Sequence, residues 1–93
     1  MSPRFINLEV HADLYSPFND AYGEIIKQDR TWGINRVQSS LLWQAVLSEE
    51  VGEVAKEVLE KDNEKLREEL VQVAAVALNW IKALDREEVT CYE

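Results

Sequence analysis

Two glutamate-rich segments hold the residue types best suited to chemistry. The first reads EEVGE at residues 49–53, and the second reads EELVQ at residues 68–72. If the first segment is helical, Glu50 and Glu53 share one face and lie about 5–6 Å apart at Cβ. Carboxylates that close repel each other, and a bound divalent cation would relieve the repulsion. Oxygen ligands without histidine or cysteine favour a hard cation, Mg²⁺ or Mn²⁺.

Hydrophobic periodicity predicts an all-α chain that positions these segments on two long helices. The predicted helices cover residues 17–29 with Ser16 as N-cap and Pro17 in the first turn, residues 36–60 with Asn35 as N-cap, and residues 64–86 with Asp62 or Asn63 as N-cap. The second helix has an apolar stripe of Trp43, Leu47, Val51, Val54 and Val58, and the third has one of Leu66, Leu70, Val73, Ala77, Trp80, Ile81 and Leu84.

Residues 1–15 form an N-terminal arm whose structure the sequence leaves open. Alternate residues from 8 to 14 are apolar, as in a strand, but Phe5, Leu8 and Ala12 also fit one face of a helix. The sequence is therefore compatible with either a strand or a helix in the arm.

The short link between the two long helices predicts an antiparallel hairpin. Folding back in this way can bring Glu69 opposite Glu50 and Glu53, so that the three carboxylates converge. Residues 73–78 are apolar almost all round their helix, and such a helix needs neighbours on more than one side. We therefore expect one domain, residues 1–93, whose hairpins pair into a four-helix bundle in a homodimer or homotetramer.

The amino-acid composition limits the classes of binding partner and the cellular compartment that we expect. The chain has 18 acidic and 10 basic side chains and a formal net charge of −8, which argues against nucleic acid and anionic membranes as partners. Metal cations can still allow an acidic pocket to bind an anionic ligand such as a nucleoside triphosphate. The sequence has no apolar run of membrane-spanning length and a lone thiol at Cys91, and its first residues lack the apolar core typical of a secretory signal. We therefore expect a reduced, cytoplasmic setting.

The acidic segments also fit an ordinary solvated helix surface, because glutamate- and lysine-rich helices are common in soluble proteins. We expect that role for Glu49, Glu57, Glu60, Glu64 and Glu68. For the remaining glutamates, periodicity and charge leave both a metal site and a solvated surface open.

The segments EEVGEVA (residues 49–55) and LREEL (residues 66–70) resemble the MazG-like, all-α nucleoside triphosphate pyrophosphohydrolases. The motif of that family is E-x-x-E, a gap and then E-x-x-D, on two antiparallel helices. Glu50 and Glu53 match its first half, and Glu69 matches the first position of its second half.

The resemblance implies Mg²⁺- or Mn²⁺-dependent hydrolysis of a nucleoside triphosphate to the monophosphate and pyrophosphate, as in the removal of unwanted nucleotides. It implies that Glu50, Glu53 and Glu69 are metal ligands and that one of the glutamates, with Glu50 and Glu53 the candidates, orients or deprotonates the attacking water. Gln72 stands where the family has aspartate; its carbonyl can bind a hard cation but brings no charge.

Four further residues are candidates for substrate binding: Trp32, Trp43, Lys56 and Asn79. Either tryptophan could stack on a base, although each also fits ordinary core or interface packing. Asn79 could contact a base or ribose, and Lys56 could contact phosphate, although a solvated cation is the commoner role for a lysine.

Two other functions fit the same residues. A non-catalytic protein that binds nucleotide or metal and regulates a partner would account for Gln72. A purely structural helical module would leave the acidic face solvated and unaffected by metal.

Overall fold

The computed structural model describes residues 6–87, and this part of the chain is all-α. Its elements are α1 (Leu8–His11), a 3₁₀ turn (Ala12–Leu14), α2 (Tyr15–Trp32), α3 (Ser40–Glu60) and α4 (Asn63–Asp85). The all-α prediction is confirmed, and the described part of the arm is helical from Leu8 onward. Cys91 and the first five residues of the arm lie outside the described residues.

The starts of two helices differ from the prediction. Ser39, not Asn35, caps α3: its Oγ accepts a hydrogen bond from the Leu42 amide at 3.1 Å. Asn35 instead adopts a left-handed conformation with φ of 57° in the connection between α2 and α3. Ser16 lies inside α2, whose N-cap is Leu14 and has no side-chain cap. Both errors arose because a capping residue type is also common in turns and within the first turn of helices.

The α3–α4 hairpin is confirmed with nearly the predicted boundaries. Lys61 ends α3 in the left-handed conformation, with φ of 58°, and its amide bonds back to the end of the helix. Oδ1 of Asp62 then accepts the Lys65 amide at 3.1 Å and starts α4. Two cap residues therefore make the whole reversal, and the two helices run antiparallel in extensive contact.

The central helix is α4, which packs against both α3 and α2. Three polar contacts fix α2 alongside it: Asp20 to Arg67, Glu24 to Gln72, and Gln28 to Asn79. The numbers rise together along both helices, so α2 runs parallel to α4. Because α3 and α4 are antiparallel, this pairing places the end of α2 at the same end of the hairpin as the start of α3, and the connection joins these two ends.

The apolar core is small and lies toward the start of α3. Trp43, Val76 and Ala83 are buried there, with Val46, Leu47 and Trp80 packed around them. Nε1 of Trp80 donates to Oγ of Ser40 at 3.3 Å and ties α4 to the first turn of α3.

The predicted apolar stripes coincide only in part with the faces that the chain buries. Val51 and Val58 on α3, and Leu70, Ile81 and Leu84 on α4, are each about half exposed or more. The face of α4 buried within the chain is the neighbouring one, which carries Ala75, Val76, Asn79 and Ala83. None of the helices between residues 6 and 87 has the length and apolar character of a membrane span.

The cap at Ser39 is directly testable. We expect Ser39→Ala to lower the free energy of unfolding by about 1 kcal/mol, because the Leu42 amide loses its partner. The measurement is equilibrium denaturation in urea. Ser48→Ala is the matched control, since Ser48 is exposed within α3 and alanine favours a helix interior. Equal stability of the Ser39 variant and the unsubstituted protein would contradict the assigned cap.

Candidate active site

An open cleft of about 910 Å³ lies between α2 and α3, with α4 beneath it. Its lining comes from α2 (Glu24, Lys27, Gln28, Thr31, Trp32), from the α2–α3 connection (Arg36, Val37, Gln38), from α3 (Leu42, Trp43, Val46, Glu49, Glu50) and from α4 (Gln72, Val76). The carboxyl groups of Glu49 and Glu50 lie toward one end with Glu24 and Gln72, and the two tryptophans lie with Arg36 toward the other. The volume is within the range of small-molecule sites.

Two predicted site residues, Glu50 and Glu69, are brought together. Glu50 lies on α3 and Glu69 on α4, and their carboxyl groups are close enough to share a hydrogen bond when one is protonated. Burial raises the pKa of Glu50 to about 7, and the hydrogen bond and charge of Glu69 act in the same direction. Oε2 of Glu69 is buried without a hydrogen-bond partner. Two close carboxyls with an unpartnered oxygen fit a divalent cation.

Glu53, the third predicted ligand, lies one turn beyond Glu50 on α3 and is exposed. Its charge contributes to the raised pKa of Glu50. Within residues 6–87, no three His, Cys, Asp or Glu side chains converge as a metal-binding group. The structure thus pairs Glu50 with Glu69 and leaves Glu53 on the solvent side of that pair.

Gln72, the fourth predicted ligand, lines the cleft with Glu50. Its Nε2 donates to Oε1 of Glu24 on α2 at 2.6 Å. Oε2 of Glu24 also lies 3.4 Å from Nζ of Lys27. Sequence reasoning missed Glu24, because the register between α2 and α4 follows from tertiary packing and leaves no signal in the spacing.

The tryptophan end of the cleft contains one buried ring and one exposed ring. Trp43 is 2% exposed and belongs to the core as well as to the cleft wall. Arg36 lies over its ring, 5.1 Å from the centroid, and burial lowers the pKa of Arg36 while Asp29 partly opposes that shift. Trp32 is 68% exposed at the end of α2, so its ring is open to a ligand.

Lys56 and Asn79 lie outside the lining of the cleft. Lys56 is exposed on α3. Asn79 is buried on α4, where its Nδ2 donates to Oε1 of Gln28 at 2.9 Å, and only Gln28 reaches the cleft. Glu57 was predicted to be solvated, but it lies on the buried face of α3. Its Oε2 has no hydrogen-bond partner there.

Comparison with known families agrees with this geometry. A family model for the MazG nucleotide pyrophosphohydrolase domain matches residues 38–90, more than half of the chain. That range contains all of α3 and α4 and therefore the Glu50–Glu69 pair. The chain belongs to the MazG nucleotide pyrophosphohydrolase domain family. Searches against curated proteins and against solved structures gave no significant match.

The carboxyl pair predicts an unusual pH dependence for the metal-free protein. The folded-state pKa of Glu50, about 7, lies above its ordinary value of 4.5, so between these values the folded protein holds a proton that the unfolded chain has released. The stability from this group is therefore full below about pH 4.5 and is lost as pH rises through about 7. Glu50→Gln, which mimics the protonated carboxyl, should match the unsubstituted protein at about pH 5 and exceed its stability at about pH 8.

Melting temperatures measured with chelator across this pH range test that expectation. The control is Glu60→Gln, because Glu60 is exposed on the same helix and loses the same charge. The control should keep the pH dependence of the unsubstituted protein. Identical pH profiles for Glu50→Gln and the unsubstituted protein would show that the pair does not hold the proton.

Proposed function

We propose that this protein is a metal-dependent nucleoside triphosphate pyrophosphohydrolase that converts a (deoxy)nucleoside triphosphate to the monophosphate and pyrophosphate. The observation that carries the proposal is the Glu50–Glu69 carboxyl pair beside a cleft of small-molecule size. Membership of the MazG nucleotide pyrophosphohydrolase domain family supports the reaction class.

Glu50 and Glu69 would hold the cation through their carboxylates, and Gln72 would do so through its carbonyl oxygen. Glu53, the third predicted carboxylate ligand, lies on the solvent side of the pair and would join them only by turning its side chain toward Glu50. When bound, Mg²⁺ or Mn²⁺ would neutralise phosphate charge and favour ionisation of water. In the reaction, a water oxygen forms a bond to the α-phosphorus as the bond to the bridging α–β oxygen breaks, and pyrophosphate departs with the electron pair. Glu53 is exposed beside Glu50, which supports its role as acceptor of the water's proton, with release to solvent.

The opposite end of the cleft suits the nucleoside. The exposed ring of Trp32 is open for stacking on a base, whereas the buried ring of Trp43 supports Arg36 in the cleft wall. Lys27 lies between the tryptophan and the carboxylates along the lining of α2, so its ammonium is a better candidate for phosphate contact than Lys56. Asn79 would act on the substrate through Gln28, the cleft residue to which it is bonded.

A second candidate function is nucleotide or metal binding without turnover. Gln72 favours it, because this residue brings no negative charge to a cation. Thermal-shift titration with nucleotide and metal separates the two functions: stabilisation without product supports binding alone.

We also propose that two or more copies of the chain associate through the hairpin. The exposed apolar side chains recur at helical spacing on both of its helices, at Val51 and Val58 on α3 and at Leu70, Ile81 and Leu84 on α4. Rows of exposed apolar residues on a small protein mark an interaction surface. A second copy of the same hairpin would cover them and complete a four-helix bundle.

Pyrophosphate release from a panel of ribo- and deoxynucleoside triphosphates tests the enzymatic proposal. We expect release with Mg²⁺ or Mn²⁺ and none with chelator. Glu53→Gln should lower turnover by at least about 100-fold, as expected for loss of a proton acceptor. It should leave the melting temperature close to that of the unsubstituted protein, because Glu53 is exposed.

Glu60→Gln serves as the control for charge, since Glu60 is on the same helix and outside the cleft. Its turnover should equal that of the unsubstituted protein. Absence of product from every nucleotide at millimolar metal and high protein concentration would refute the enzyme; full turnover by Glu53→Gln would refute the role of that residue.

Light scattering coupled to gel filtration tests the association. The unsubstituted chain should elute as a dimer or tetramer, and Ile81→Glu should shift it toward the monomer because a buried charge is costly at an apolar interface. Val10→Glu is the control, because Val10 is similarly exposed but lies on α1, outside the hairpin. A monomeric unsubstituted chain would exclude the proposed bundle.

A further inference from the structure

A hydrogen bond between α2 and α4 joins two side chains that line the cleft beside Glu50. Nε2 of Gln72 donates to Oε1 of Glu24 at 2.6 Å. A carboxylate oxygen can only accept, so the amide must turn its nitrogen toward Glu24. The carbonyl oxygen of Gln72 is consequently directed away from that contact and remains available to another partner.

Glu24 is largely buried and has a partner for each of its carboxylate oxygens. Its side chain is 14% exposed, and Oε2 lies 3.4 Å from Nζ of Lys27, one turn further along α2. The two oxygens of Glu24 thus have separate partners, one on each helix. Such a carboxylate fixes the orientation of a neighbouring amide better than a mobile surface residue would.

The pair adjoins the carboxyls that would hold the cation. On α4, Gln72 follows Glu69 by three residues, so the two side chains are neighbours on one face. Glu69 in turn meets Glu50 across the hairpin. A continuous polar series therefore runs from α3 through α4 to α2.

We propose that Glu24 and Gln72 act as one unit of the cation site, in which Gln72 binds the cation through its carbonyl oxygen while Glu24 orients the amide and supplies the negative charge that Gln72 lacks. Glu24 is a positioning residue in this arrangement. The inference rests on the proposed function, because it requires a cation beside Glu50 and Glu69.

If Glu24 and Gln72 act as one unit, the effect of a substitution at one of them on cation affinity depends on the residue at the other. Glu24→Gln removes the charge and lets either end of the new amide face Gln72, so Mn²⁺ affinity should fall by about 10- to 100-fold. Gln72→Asp alone places a carboxylate against Glu24, and the repulsion should limit any gain in affinity. The double variant Glu24→Gln/Gln72→Asp moves the charge from α2 to α4 and should bind Mn²⁺ much more tightly than Glu24→Gln.

Calorimetric titration of the full chain with Mn²⁺, without nucleotide, measures these affinities. The melting temperature of each variant with chelator is recorded in parallel. Glu60→Gln is the matched control and should bind Mn²⁺ like the unsubstituted protein. If Glu24→Gln does not fold, Gln72→Met tests the same unit from α4, because it keeps the length of the side chain, removes its amide and should show the same loss.

The outcomes distinguish failure of the proposed Glu24–Gln72 unit from failure of the proposed enzymatic function. Unchanged Mn²⁺ affinity in Glu24→Gln or Gln72→Met, or a lower melting temperature alone, would overturn the unit and leave a structural contact. A double variant that binds no better than Glu24→Gln would also overturn it. If the unsubstituted protein binds Mn²⁺ and releases pyrophosphate while these variants bind normally, only this inference fails; if it binds no Mn²⁺, the proposed metal-dependent function fails as well.

Discussion

Two carboxyl groups held against each other across a helical hairpin are the constraint on which the rest of the site depends. Burial and the charge of Glu69 raise the pKa of Glu50 to about 7, and either a proton on the pair or a bound cation would relieve the repulsion between the two carboxylates. The metal-free fold therefore retains a proton near neutral pH. In the proposed enzyme, binding of a cation would release that proton, so that metal affinity and folding would be coupled through the same two side chains.

The fold supports this constraint by making α4 the neighbour of both other long helices. Its contact with α3 brings the carboxyls together, and its contact with α2 carries Glu24 to Gln72. The small apolar core around Trp43 and Val76 adjoins the acidic end of the cleft, because Val46, one turn before Glu50 on α3, packs against it.

Sequence reasoning identified the parts of this arrangement that depend on local patterns. Helical periodicity and the cap at Asp62 predict the hairpin, and the hairpin alone predicts that Glu69 meets Glu50. The parallel register of α2 on α4 could not be predicted from the sequence, because it depends on contacts between residues about fifty positions apart. For the same reason, the contact of Glu24 with Gln72 was not predicted. Glu57 was predicted to be solvated but is buried, because the burial of a glutamate depends on its tertiary neighbours rather than on its residue type.

The connection between α2 and α3 forms part of the cleft wall without belonging to a helix. It runs from Gly33, with φ of 96°, to the cap at Ser39, and contributes Arg36, Val37 and Gln38 to the lining. The carboxyls lie on helices that this segment does not interrupt. In the proposed enzyme, changes of length or composition in the connection would reshape the end of the cleft assigned to the nucleoside and leave the carboxyl end unchanged, so that one set of carboxyls would serve different bases.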